Sequence, residues 1–225
     1  MKTAHWLAMS LVVGWCLSAS AATIEGMVRL PKAIPPPAMP SRYQNKTPGR
    51  VGPPPPPVAV VYLEGQFSAG ANNNPGSKAE MEQKHFQFGS RVLPVRTGSV
   101  VEFPNRDEGD HSVYSNSDPK TFDLGRYRKN EKATAILFDK PGMVQLYCEI
   151  HPHMRATILV LDSPFFVTTD AQGKYRLANL PAGKYKLKAW VNEKVVWEKP
   201  VVLEETTNLR VDFPGANGHE QGSES

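Results

Sequence analysis

Hydrophobic positions along this chain come in short blocks, some alternating with polar residues and some continuous, each ended by Gly, Pro, Asn or Asp. Such blocks predict β-strands. The first is Thr23 to Leu30, with Ile24, Met27, Val28 and Leu30 around Gly26, and the second is the continuous apolar run Val58 to Leu63. Between them, from Pro31 to Pro57, prolines crowd every few residues and end in five in a row. Proline removes the ladder donor and fixes φ, so this stretch reads as a stiff, polyproline-like surface segment, with a recognition role as the alternative. Ser68 to Lys78, rich in Asn and Gly, reads as a loop.

A denser series follows: Glu82 to Phe88, Arg91 to Val95, Ser99 to Asn105, Ser112 to Ser115, Ala133 to Phe138, Met143 to Cys148 and Ala156 to Leu161. Turn signals at Thr97-Gly98, Asp107 to Asp110 and Lys140-Pro141-Gly142 separate them, the spacing of a sandwich or barrel. Parity along a strand puts Val144, Leu146 and Cys148 on one face, so the thiol belongs to the apolar side. Val101, Phe103 and Asn105 likewise share a face, and Ile136 and Phe138 are expected to complete that core. After Asp162 the pattern resets. Phe165 to Thr168, Tyr175 with Leu177, Tyr185 to Ala189, Val195 to Leu203 and Leu209 to Phe213 read as strands, with tight turns at Asp170-Ala171-Gln172-Gly173 and Leu180-Pro181-Ala182-Gly183. Lys184, Lys186 and Lys188 face away from Tyr185, Leu187 and Ala189, as in a half-buried antiparallel strand. Pro214 to Ser225 is polar and is expected to be disordered.

Composition sharpens this picture in two places. The 21 prolines and 17 glycines among 225 residues favour short strands and many turns. Residues 1–22 carry a basic start at Lys2, an apolar run from Trp6 to Leu17 and small residues at Ala19-Ser20-Ala21, the pattern of a cleavable secretory signal. No other apolar segment is long enough to span a bilayer. The formal net charge of +4 has no dense Lys/Arg run with interleaved aromatics behind it, which argues against nucleic acid. The lysine stripe is either a docking face for an acidic partner or an ordinary solvated face.

The candidate chemistry lies in Cys148-Glu149-Ile150-His151-Pro152-His153-Met154. With the leader discounted, Cys148 is the single cysteine and has no partner in its own chain. A thiolate, imidazoles and a thioether form the donor set of a mononuclear copper that shuttles electrons; His111 is the best-placed second imidazole. Competing readings are an inert buried cysteine, an intermolecular disulfide, and zinc, for which a thioether is a poor ligand. His153 reads as a solvent-facing loop residue and His85 as a strand side chain, while His5 and His219 fall in the leader and the tail.

Asn105 through His111, the Phe138 to Gly142 approach and Cys148-x-x-His151-x-x-Met154 together resemble the blue-copper cupredoxin family, amicyanins in particular, over about Ala79 to Leu161. The resemblance implies a Greek-key β-sandwich with one type 1 copper, His111, Cys148 and His151 as equatorial ligands, Met154 as the axial one, and Asn105 tying the two ligand-bearing segments together. Ser112 stands where the family often has Asn, and His153 where it has an apolar residue. The segment Thr168 to Tyr185 resembles the carboxypeptidase regulatory-like, transthyretin-type (prealbumin-like) β-sandwich, to which Ile24 to Leu30 and Val58 to Leu63 supply matching early strands. The expected organisation is therefore all-β: signal peptide 1–22, first strands and proline-rich loop 23–66, cupredoxin 79–162 inserted into the smaller sandwich, its remainder 163–213, and a tail 214–225. Insertion requires Ile24 and Val60 to pack with Tyr185 and Leu187; the rival arrangement packs them with Val144 and Phe103.

A full ligand set leaves no open position for a substrate, so the expectation is a periplasmic electron carrier and not an enzyme. The chain has no His-Glu-x-x-His or Gly-x-Ser-x-Gly. Redox proteins are the expected donor and acceptor; the resemblance points to an amine-oxidising chain. The alternatives are copper storage or delivery, and a metal-free envelope binding module.

Overall fold

The computed structural model describes residues 21–32, 51–67, 77–131 and 135–214. The leader up to residue 20, most of the proline-rich stretch, most of the Ser68 to Lys78 loop and the tail from 215 lie outside the described residues. The protein is all-β. Among the described residues no helix is long and apolar enough to cross a membrane.

Two cores organise the strands. In the first, β1 (Ala22–Met27) pairs antiparallel with β14 (Lys174–Leu180) and parallel with β17 (Asn208–Arg210). Facing it is a sheet ordered β13 (Phe166–Thr168), β2 (Val60–Glu64), β15 (Gly183–Asn192), β16 (Val195–Leu203). Ile24, Val61, Leu63, Tyr185, Leu187 and Ala189 share the interior. Ile24 thus packs with the core of Tyr185 and Leu187. Val60 points to the opposite face, where it is paired in register with Trp190. Two lysines of the stripe on that outer face are tied across strands: Lys186 reaches Glu198 at 3.3 Å, and Lys188 pairs with both Glu64 and Glu198.

β1 has no room beside Gly26. A Cβ there would lie 1.8 Å from the Val211 carbonyl oxygen, a backbone atom that also accepts the Tyr175 hydroxyl at 2.6 Å. Gly26→Ala is therefore expected to cost about 1–3 kcal/mol, as overpacking does, measurable by chemical denaturation; an unchanged midpoint would contradict this packing.

The second core is built from a five-stranded sheet, β6 (Val92–Arg96), β12 (Arg155–Leu161), β11 (Gly142–Tyr147), β8 (His111–Ser117), β9 (Lys120–Tyr127), and a smaller one, β10 (Ile136–Phe138), β7 (Ser99–Glu102), β3 (Lys78–Glu80). Val101, Phe103, Phe138, Val144, Leu146, Cys148 and Met154 are all buried in it, and Ile136 packs against them. β9 and β3 are absent from the sequence reading, and residues 132–134 of the predicted Ala133 strand lie outside the described residues. The predicted strand Glu82 to Phe88 is instead two short strands, β4 (Gln83–Lys84) and β5 (Gln87–Phe88), folded back on each other. His85 is consequently a turn residue and not a strand side chain. The two sandwiches meet outer face to outer face through Val60, Trp190, Val92, Leu159 and Leu161.

Candidate metal centre

Antiparallel pairing of β8 with β11 brings the first residue of β8 beside the residue that follows β11. That places His111 next to Cys148. The chain bends at Glu149 and Ile150, which lets His151 return toward the sulfur, and a turn in which the Met154 amide donates to the His151 carbonyl at 2.8 Å then leads into β12. The donor atoms of His111, Cys148 and His151 all lie within 4.8 Å of one another. His111 Nδ1 faces His151 Nδ1 at 3.1 Å, and Cys148 Sγ lies 3.7 Å from His151 Nδ1.

These separations suit one metal ion. Bonds of about 2.0 Å to nitrogen and about 2.3 Å to sulfur, splayed between tetrahedral and trigonal angles, put the donors roughly 3.3–3.7 Å apart. Met154 is fully buried in the same core as Cys148.

The surroundings tune each group. Burial alone would raise the Cys148 thiol, but hydrogen bonding to the His111 and His151 rings and to the Ser112 and Ile150 amides brings it down to about 5. Burial lowers the His111 pKa, and the neighbouring Cys148 and Asp107 outweigh it, so the net shift is upward. Asp107, also pushed up by burial, ends below the usual carboxylate range because the Phe86 amide, the His111 ring and the His85 amide donate to it.

Two expectations need correction. Asn105 does not tie the ligand-bearing segments together; its amide donates to the Gly109 carbonyl at 2.8 Å and the Tyr127 carbonyl at 3.1 Å, and its Oδ1 accepts the Asp107 amide. Ser112 makes the tie. Its backbone N–H donates to Cys148 Sγ at 3.5 Å, and its hydroxyl accepts the Glu149 amide at 2.8 Å. His153 is half-buried, not solvent-facing, and its Nε2 meets the Phe86 carbonyl at 2.9 Å. Burial first of all holds its pKa below the usual imidazole range.

Sequence reading also passed over Asp107 and Phe86. Asp107 counted only as part of a turn, although a carboxylate four residues before a candidate ligand is a recognisable signal. Its Oδ2 lies 2.9 Å from His111 Nε2.

Fold and site thus define an all-β protein with a His-Cys-His cluster, two of its three residues buried, at one end of a five-stranded sheet. No family model matches the sequence, and no curated protein matches it. Solved structures similar to this chain include several copper proteins. Amicyanin from Paracoccus versutus is 19% identical over 45% of this chain and 97% of its own, with a TM-score of 0.35. A purple cupredoxin from Nitrosopumilus maritimus is 20% identical over 33% of this chain and 81% of its own, with a TM-score of 0.30. A Cu-containing nitrite reductase from Thermus scotoductus is 29% identical over 37% of this chain, with a TM-score of 0.34; the match spans 22% of that longer protein. All three TM-scores fall below 0.5, so the functional reading below stands on the side chains.

Proposed function

We propose that this protein would hold one copper ion between His111, Cys148 and His151, with Met154 as a weak fourth ligand, and carry single electrons between redox proteins. The observation that carries the reading is the convergence of two imidazole nitrogens and one thiol sulfur inside a β-sandwich. Bound there, copper supplies one-electron chemistry between its two oxidation states. Cys148, drawn down to about 5, offers a thiolate at neutral pH. His111 is 0% exposed and Cys148 4%, so their surroundings exclude bulk water and hold both side chains in place.

The chain's organisation is part of the same proposal: residues 79–162 form a cupredoxin inserted into a regulatory-like sandwich made of 23–66 and 163–213. The pairing of β2 with β15 and of β1 with β14 supports it. The smaller sandwich acts as a contact module and has no catalytic role. Export to the periplasm rests on the leader-like pattern of residues 1–22.

Titration of the purified protein with Cu(II) tests the function. One equivalent is expected to bind with an intense blue absorption that bleaches on reduction and returns on oxidation. A colourless protein that exchanges Cu(I) readily would mean storage or delivery, and one that binds no copper would mean a metal-free binding module.

A further inference from the structure

The turn that joins β4 to β5 is strained. His85 and Phe86 adopt φ of 55° and 57°, the left-handed region. Residues with a Cβ are uncommon in that region, and a bulky Phe there is a genuine outlier. Such a conformation persists only where the surroundings over-determine it.

Asp107 supplies the restraint. Its Oδ1 accepts the His85 amide at 2.7 Å and its Oδ2 accepts the Phe86 amide at 2.8 Å. The same Oδ2 accepts His111 Nε2–H at 2.9 Å. The carboxylate is itself held, because the Asp107 amide donates to Asn105 Oδ1 at 2.9 Å. One buried carboxylate therefore joins the candidate ligand His111 to a hairpin that contributes no ligand.

The turn's purpose lies in where it puts Phe86. The ring is 3% exposed and stands edge-on to both imidazoles, 5.5 Å from His111 and 5.1 Å from His151 between centroids. The Phe86 carbonyl is in turn met by His153 Nε2 at 2.9 Å, so the short loop that carries His151 grips the hairpin from the other side.

We propose that Asp107 is a positioning residue with two linked tasks: it fixes the His111 ring so that Nδ1 faces the cluster, and it latches the strained His85-Phe86 turn so that the Phe86 ring covers both imidazoles. The first task rests on the copper reading above. The second is a property of the metal-free protein and does not. Linking them makes the cover over the centre and the electrostatics of the centre depend on one side chain.

Asp107→Asn in the full chain separates the two. Asparagine has one acceptor oxygen and cannot accept all three N–H groups. Amide hydrogen exchange of His85 and Phe86 in the metal-free variant is expected to accelerate by about tenfold or more, the loss of a bond to a charged acceptor. Cu(II) affinity is expected to fall roughly 10- to 100-fold, the usual cost of removing a group that orients a ligand. The midpoint potential should rise, since a nearby negative charge stabilises the more highly charged oxidised metal. Phe86→Ala leaves every bond to Asp107 in place and removes only the cover. Added azide should then perturb its visible absorption while leaving the wild type unchanged.

Unchanged exchange at His85 and Phe86 in Asp107→Asn would overturn the latch, whether or not the protein binds copper. Faster exchange with unaltered copper affinity and potential would overturn the link to His111. If Asp107→Asn fails to fold, the Phe86→Ala variant decides alone: an absorption as insensitive to azide as that of the wild type overturns the covering role. A wild type that binds no copper overturns the function proposed above and leaves the exchange measurement standing.

Discussion

Cys148→Ala is expected to abolish the blue absorption and the tight binding of Cu(II) together. The sulfur is the one thiolate in the cluster, and the two imidazoles left behind are a much weaker and less selective pair of donors. The loss should be local. Cys148 immediately follows β11, and neither the β11–β12 register nor the turn from His151 to Met154 depends on its sulfur. Far-ultraviolet circular dichroism should be unchanged, while the copper titration loses its intense band entirely. Retention of that band in the alanine variant would remove the thiolate from the site, and the electron-transfer reading with it.

Leu187→Ala is expected to have the largest effect on stability, about 2–5 kcal/mol, the range for emptying a fully buried leucine. Leu187 is 0% exposed and lies opposite Leu63 on β2, in the core that also contains Ile24 and Tyr185. None of the candidate ligands belongs to that core. The folded variant should therefore bind Cu(II) with a spectrum like that of the wild type while unfolding at lower denaturant. A spectrum altered in proportion to the loss of stability would show that the two cores unfold as one cooperative unit through their shared apolar contact.

Much of the site was legible in the sequence because strand parity and donor chemistry are both local signals. Val144, Leu146 and Cys148 alternate with half-buried Met143, Gln145 and Tyr147, so the direction of the thiol followed from a period of two. The donor set around it needed only residue types and short spacings. What stayed hidden depends on contacts distant in sequence. β9 alternates only over Lys120 to Gly125, with Phe122 and Leu124 as its two inward apolar residues, and Gly125, at φ 65°, with Arg126 breaks the period before buried Tyr127, so the apolar signal is short and weak. The His85-Phe86 turn lacks the Gly or Asn that announces a left-handed turn. Its cause is a carboxylate more than twenty positions away. The role assigned to Asn105 passed to Ser112 for a related reason: either side chain can bridge two segments, and which one does so is decided by the register of β8 against β11.

The pairing of β1 with β14 and β17 has a bearing on biosynthesis. β1 leaves the ribosome long before either neighbour has been made, and β2 likewise waits for β13 and β15. Closing so long an intervening segment adds little entropy cost, since that cost grows only with the logarithm of length, but it delays the event. During that interval the apolar edges of Ile24 and Val61 are without partners while β6 to β12 already possess everything they pair with. The nascent polypeptide therefore passes through a stage with its middle closed and its front end unpaired, when an escorting chaperone would matter most.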